Sequence, residues 1–207
     1  MAAEKRALRV GRTPSASGGD SQFWSLKDGD VATITMLAEL DEIVSVDQFS
    51  IWDFNPAAVW VDSGSGDPGY ELGLTPGYRA FIPISVVIDG TEEVKVWSVG
   101  IGLHRTISEV AQMTGTLKGL ICRAKRTGSG LKTKYVLIST GKMAIKLPKN
   151  IPSSDDIIAT LGPDTREGII KLIEDRSGSS FATLLKNAGK ASGTVAELET
   201  EVEEIPF

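Results

Sequence analysis

The stretch Leu117–Ser139, LKGLICRAKRTGSGLKTKYVLIS, decides how the chain is read. Two β-rich runs, Leu117 to Lys125 and Lys132 to Ser139, flank the segment Arg126-Thr-Gly-Ser-Gly-Leu131. A glycine-bearing turn between two such runs predicts a hairpin. Arg123, Lys125, Arg126, Lys132 and Lys134 line it, so both strands and their loop present cations along one finger, with Tyr135 among them. Just upstream, Thr106 to Met113 reads as one short helix, with Thr106 as N-cap, Glu109 as its capping-box partner and Gly115 as its stop.

Further toward the N-terminus, strands are expected at Val31 to Leu37, Ala57 to Val61, Phe81 to Ile88 and Glu93 to Ile101. Pro83 places the third of these at an edge or a bulge. A Gly-, Pro- and Asp-rich loop, Asp62 to Gly77, is long enough to carry function. Residues 1–22 are basic and then Ser/Gly-rich, the composition of a flexible arm. From Ser154 the period changes: Ser154-Asp155-Asp156 caps a short helix, Pro163 starts a second running to about Asp175, and Ser180 to Asn187 makes a third. The expected organisation is therefore an arm (1–22), a β domain (23–150), a helical appendage (151–188), and a linker with an acidic tail (189–207). About five strands with a helix before the last pair fit a mainly β, OB-type Greek-key barrel with one inserted short helix, a small C-terminal helical appendage and a disordered acidic tail. A β-sandwich would read similarly.

With 41% hydrophobic and 24% charged residues over 207 positions, the chain has an ordinary globular composition and length enough to bury a core. Its one cysteine, Cys122, excludes a disulfide framework. With His104 as the only other soft ligand, a Cys/His zinc site is excluded too, and no metal or cofactor is expected. Met1 to Gly19 has no apolar core of a secretory signal, and the longest apolar stretch, Phe81 to Ile88, is too short to cross a bilayer. The expectation is a soluble, cytoplasmic protein without a membrane partner; oligomeric state stays open.

The net charge of −5 is unevenly spread. Val110 to Ser154 holds no Asp or Glu, where 27 acids in 207 residues would place about six at random. Glu39 to Glu93 holds eleven carboxylates against the single Arg79. Local field, more than total charge, steers a polyanion. Phosphates call for cations spaced along a groove, and unpaired bases offer faces to aromatic rings, each stacked base contributing about 1–3 kcal/mol. Arg105, Lys118, Arg123, Lys125, Arg126, Lys132 and Lys134 supply the cations, and Trp52, Phe54, Trp60, Trp97 and Tyr135 the rings. Four neutralised phosphates would give a single-strand salt slope of roughly −3. Duplex binding needs no exposed rings, so the pattern favours single strands. The bland alternative is a cationic edge that guards against aggregation, with the tryptophans in the core.

At the other end, Glu197, Glu199, Glu201, Glu203 and Glu204 precede Ile205-Pro206-Phe207. A terminal Phe sets a carboxylate beside a ring, which a partner meets with an apolar pocket and a cation at its lip. The glutamates steer toward basic partners and can also return to the chain's own basic surface through a tether of high effective concentration. Acidic tails also serve plain solubility.

The ending Glu-Glu-Ile-Pro-Phe looks like the C-terminal tip of bacterial single-stranded DNA-binding proteins. The body resembles the single-stranded DNA-binding proteins of tailed phages instead. The likeness lies in Phe23-Trp24-Ser-Leu-Lys-Asp-Gly-Asp30 entering the first strand and Lys95-Val-Trp97 leading into a short helix. It continues in Leu117-Lys-Gly119 through Arg126-Thr-Gly-Ser-Gly130 to Thr133-Lys-Tyr135. It covers about residues 23–140. The resemblance implies an OB fold, sequence-tolerant binding of single-stranded DNA in replication, recombination or repair, and a tip (Glu201, Glu203, Glu204, Ile205, Pro206, Phe207) that recruits replication or repair proteins. The zinc site of some phage members is not carried over.

Two other classes fit parts of the sequence. Glu93-Val-Lys95, with Asp89 or Asp67 upstream, matches the bare pattern of a metal-dependent nuclease, in which carboxylates hold Mg²⁺. A virion or assembly interaction protein without catalysis is the second. Since no nucleophile elbow or paired-acid motif is present, the chain is not expected to be an enzyme.

Overall fold

A computed structural model describes residues 22–88, 90–128 and 133–195, with side chains through 188. The N-terminal arm before Gln22, Lys132, and the tail with Glu201, Glu203, Glu204, Ile205, Pro206 and Phe207 lie outside the described residues. The protein is mainly β. In chain order its elements are β1 (Phe23–Trp24), β2 (Val31–Met36), β3 (Val44–Ile51), β4 (Ala58–Val61), α1 (Pro68–Glu71), β5 (Gly77–Ile88) and β6 (Thr91–Val99). Then come α2 (Ile101–Thr114), β7 (Leu120–Thr127), β8 (Lys134–Met143), α3 (Ser154–Ile158), α4 (Arg166–Ser177) and α5 (Phe181–Val195). They fall into two units, one from residues 22–46 and 78–160, the other from 47–77 and 161–195.

In the first unit the strands follow the order β1-β6-β5-β2-β7-β8. β1 runs parallel to β6 and every other pairing on this path is antiparallel, so the sheet is mixed. β2 is flanked by β5 (Ile34↔Val86) and by β7 (Ile34↔Cys122). Alternation sends Ala32, Ile34 and Met36 inward and leaves Thr33 in solvent. Ile82 and Ile84 of β5, Trp97 of β6 and Cys122 and Ala124 of β7 meet them in one core. α2 joins that core through Leu103, Ile107 and Ala111, a single stripe at helical spacing, and ends on Gly115 at φ 77°, where a side chain would be strained. The approach to β7 is fixed by Glu39, whose carboxylate accepts from Thr116 Oγ1 at 2.6 Å and Leu117 N at 2.9 Å. The Thr116 hydroxyl and then the Leu117 N–H hold its pKa below the usual range.

The second unit is built on the β3–β4 hairpin, in which Phe49 stands opposite Trp60. Both are buried with Ile169 and Ile173 of α4 and Phe181 of α5. Gly69 is required here: a Cβ at that position would come within 2.6 Å of the Phe49 ring. Arg166 ties α4 back to Gly66 O at 2.7 Å and to Glu71.

Several expectations need correction. The barrel does not close: among the described residues β8 ends the path and shares no ladder with β6 or β1. β3 was not foreseen. Pro83 sits on a strand with neighbours on both sides, just past Met36↔Ile84, the last pair that β2 makes with it. α2 begins at Ile101, capped by Gly100, so Thr106 is mid-helix and its hydroxyl donates to Gly102 O. Helices α4 and α5 share a core with residues 49–60, so the linear division into a β domain and a helical appendage gives way to two interleaved units.

Candidate nucleic-acid interface

The β7–β8 hairpin has two unlike faces because strand side chains alternate. On β7, Cys122 and Ala124 turn inward and are fully buried, while Arg123 and Lys125 stand exposed. On β8, Leu137 is buried, and Lys134, Val136 and Ile138 are exposed. The register sets Arg123 opposite Ile138, Lys125 opposite Val136 and Thr127 opposite Lys134. On the other side of β7, Thr33 lies opposite Arg123 and Val31 opposite Lys125. The outer face thus carries three cations interleaved with two exposed aliphatic side chains, and neither strand contains an Asp or Glu. None of the three is in an ion pair among the described residues.

The structure brings together only part of the predicted set. Arg126 turns inward, its Nη1 donating to Leu26 O at 2.6 Å and its Nη2 to Thr133 Oγ1 at 3.3 Å. Lys118 pairs with Glu42 at 3.0 Å, and Arg105 stands exposed on α2, off the hairpin. The rings are the larger correction. Trp97 has no exposed surface and packs against Trp24 and Tyr135. Tyr135 is half-buried on the inner face, and burial raises its pKa. Trp60 belongs to the second unit and is also fully buried, its indole N–H donating to Asp67 at 3.0 Å. Phe54 packs against that second core. Trp52, in the same unit, is the one predicted ring largely in solvent, at 65% exposure. Bulk and amphipathic character draw Trp into cores whatever its neighbours in sequence.

Val136 and Ile138 were missed as surface residues. Their signal was local: they alternate with Leu137 on a strand whose exposed residues include the charged Lys134 and Lys142.

The nuclease pattern is not assembled. Glu93 pairs with Lys95 at 2.8 Å. Burial works against the charge of Asp67, yet its pKa is lowered by donors from Gly69 N, Ser63 N, Trp60 Nε1 and Ser63 Oγ, which occupy both its oxygens. Asp89 lies outside the described residues. No group of three His, Cys, Asp or Glu side chains that could hold a metal occurs among the described residues. Cys122 is buried, which pushes its thiol to about 11, far from thiolate chemistry at neutral pH. His104 Nδ1 faces the Tyr78 hydroxyl, which also reaches Ser45 Oγ at 2.8 Å, and burial lowers the imidazole pKa. No described helix is long and apolar enough to cross a membrane. Compared with protein-family models, curated proteins and solved structures, the chain matches none.

Proposed function

We propose that this chain binds single-stranded nucleic acid, DNA foremost, with little sequence preference, through the outer face of the β7–β8 hairpin. The observation that carries the reading is the row of Arg123, Lys125 and Lys134 on one carboxylate-free face, interleaved with exposed Val136 and Ile138. Cations spaced along an extended face track a phosphate backbone, and apolar side chains between them offer sequence-tolerant contact to unstacked bases. Aromatic stacking, expected from the sequence, is not available from Trp97 or Trp60. Aliphatic contact takes its place on this face, and affinity leans correspondingly more on phosphate.

The strand pairings support an OB-type reading of the first unit. β2, β5 and β6 form an antiparallel meander, α2 follows, and the β7–β8 hairpin returns to pair β7 with β2. An OB barrel has these pairings and one closing ladder more. OB folds are often only partly closed, and they contact oligonucleotides with the loop between their last two strands. The reading gives the tail from Glu197 to Phe207 the role of recruiting replication or repair proteins.

Fluorescence anisotropy with labelled oligo-dT against a duplex of equal length tests the reading. Tighter, salt-sensitive binding to the single strand is expected. Equal affinity for both, or none, would refute it. Removing residues 196–207 should strengthen strand binding and abolish partner capture; no change in either would dismiss the role of the tail.

A further inference from the structure

Strand β8 ends its sheet: among the described residues it pairs with β7 alone. Helix α2 packs on the core side through Leu103, Ile107 and Ala111 and gives β8 no backbone hydrogen bond. The far edge of β8 therefore carries N–H and C=O groups with no ladder among the described residues. Natural sheets guard such an edge with proline, inward-pointing charge, bulges or a covering segment. Between Lys134 and Thr140 there is no proline and no carboxylate, and the inner face holds Tyr135, Leu137 and Ser139 without a charge. Past Thr140 the strand takes up its own donors: Gly141 N donates to Ser139 Oγ at 3.1 Å and Lys142 N to Thr140 Oγ1 at 3.3 Å. The ladder to β7 is irregular there as well, between Leu120 and Cys122. The open stretch thus runs from Lys134 to Thr140, with Leu137 at its centre.

Its outward residues read Lys134, Val136, Ile138, Thr140. Val136 and Ile138 are aliphatic, yet they are 48% and 59% exposed. Turned end for end, the row reads Thr, Ile, Val, Lys. Two copies laid antiparallel about Leu137 would set Val136 of each opposite Ile138 of the other, and Lys134 opposite Thr140. Opposed aliphatic pairs stabilise antiparallel strands, and like charges directly opposite destabilise them. Centring the pair on Ile138 instead would oppose Lys134 with Lys142, and centring it on Val136 would oppose Lys134 with Ile138. The Leu137 register alone of these three keeps both aliphatic pairs and opposes no two lysines of the open stretch. A two-fold contact of this kind also limits itself, since it uses the same edge of both copies.

We propose that this chain forms a two-fold dimer by pairing β8 with β8 of a second copy, antiparallel and centred on Leu137. The joined sheet keeps Val136 and Ile138 facing outward, as one aliphatic strip flanked by the Arg123 and Lys125 rows of the two copies. The dimer needs no ligand and stands apart from the nucleic-acid reading.

Sedimentation of the full chain without nucleic acid should show a concentration-dependent monomer–dimer equilibrium. Ile138→Lys sets a lysine opposite Val136 at both symmetric positions and should raise the dissociation constant about tenfold or more. Because Ile138 is largely exposed, the circular dichroism of this variant should match that of the wild type. The register is read separately. Chains carrying Val136→Cys and chains carrying Ile138→Cys, mixed and oxidised, should form the mixed disulfide in excess over either self-linked pair, since directly opposed Cβ atoms lie roughly 4.5–5.5 Å apart. A chain that stays monomeric at every concentration tested would overturn the proposal. So would a dimer of unchanged affinity in Ile138→Lys, or disulfides with no excess of the mixed link. Were Ile138→Lys to misfold, the disulfide result decides alone.

Discussion

Trp60 and Trp97 are both completely buried, one in each unit, and they differ in what their indole nitrogens meet. Trp60 stacks on Phe49 with centroids 5.5 Å apart and donates to Asp67, which also takes Ser63 and Gly69. Trp97 lies between Trp24 and Tyr135, and its donor, like that of Trp24, has no acceptor among the described residues. Among the described residues the second unit shows no buried side-chain nitrogen or oxygen without a partner, and the first shows three. A buried donor without an acceptor costs stability, so the two cores differ in how far their polar burial is compensated.

The sharpest way to break this comparison is Asp67→Ala. It would leave the donors of Trp60, Ser63 and Gly69 without an acceptor, and the expected loss is about 3 kcal/mol in chemical denaturation. A loss below about 1 kcal/mol would mean that the carboxylate does not organise the second core. Acid tests the same group. The folded pKa of Asp67 lies below its ordinary 3.8, so its stabilisation is fully present above that value and is lost as pH falls through the folded pKa. Asp67→Ala should remove that part of the acid dependence.

Next in size is a matched pair. Trp60→Phe and Trp97→Phe lose similar ring area, but only the first breaks a hydrogen bond. Trp60→Phe should therefore cost about 1.5 kcal/mol more than Trp97→Phe. Equal losses would show that Trp97 has an acceptor after all. Smallest is the outer face. Arg123→Ala with Lys125→Ala should change stability by no more than about 0.5 kcal/mol, because both side chains are exposed and unpaired in the described structure. A larger loss would make the face structural.

Much of this frame could be read from the chain. β2, β5, β6, the hairpin and the three C-terminal helices follow from β-branched runs, glycine stops and capping residues. β3 could not, because Asp47 and Gln48 interrupt its apolar pattern, and Gln48 is buried all the same. Nor could the fate of the rings. Whether Trp97 faces water depends on β1 and β8, which lie far from it in sequence and bring Trp24 and Tyr135 onto it. Arg126 and Lys125 are neighbours with the same charge, yet strand alternation sends one inward and the other out. That parity was implicit in the hairpin, but the buried face had to be known first.

Salt dependence of oligo-dT binding tests the central claim most directly, measured on the wild type and on Arg123→Ala with Lys125→Ala. With three phosphates neutralised by Arg123, Lys125 and Lys134, log K should fall against log salt with a slope of about −2, and with one remaining cation by about −0.7. A double variant that kept both the wild-type affinity and the wild-type slope would place the strand somewhere other than the hairpin's outer face.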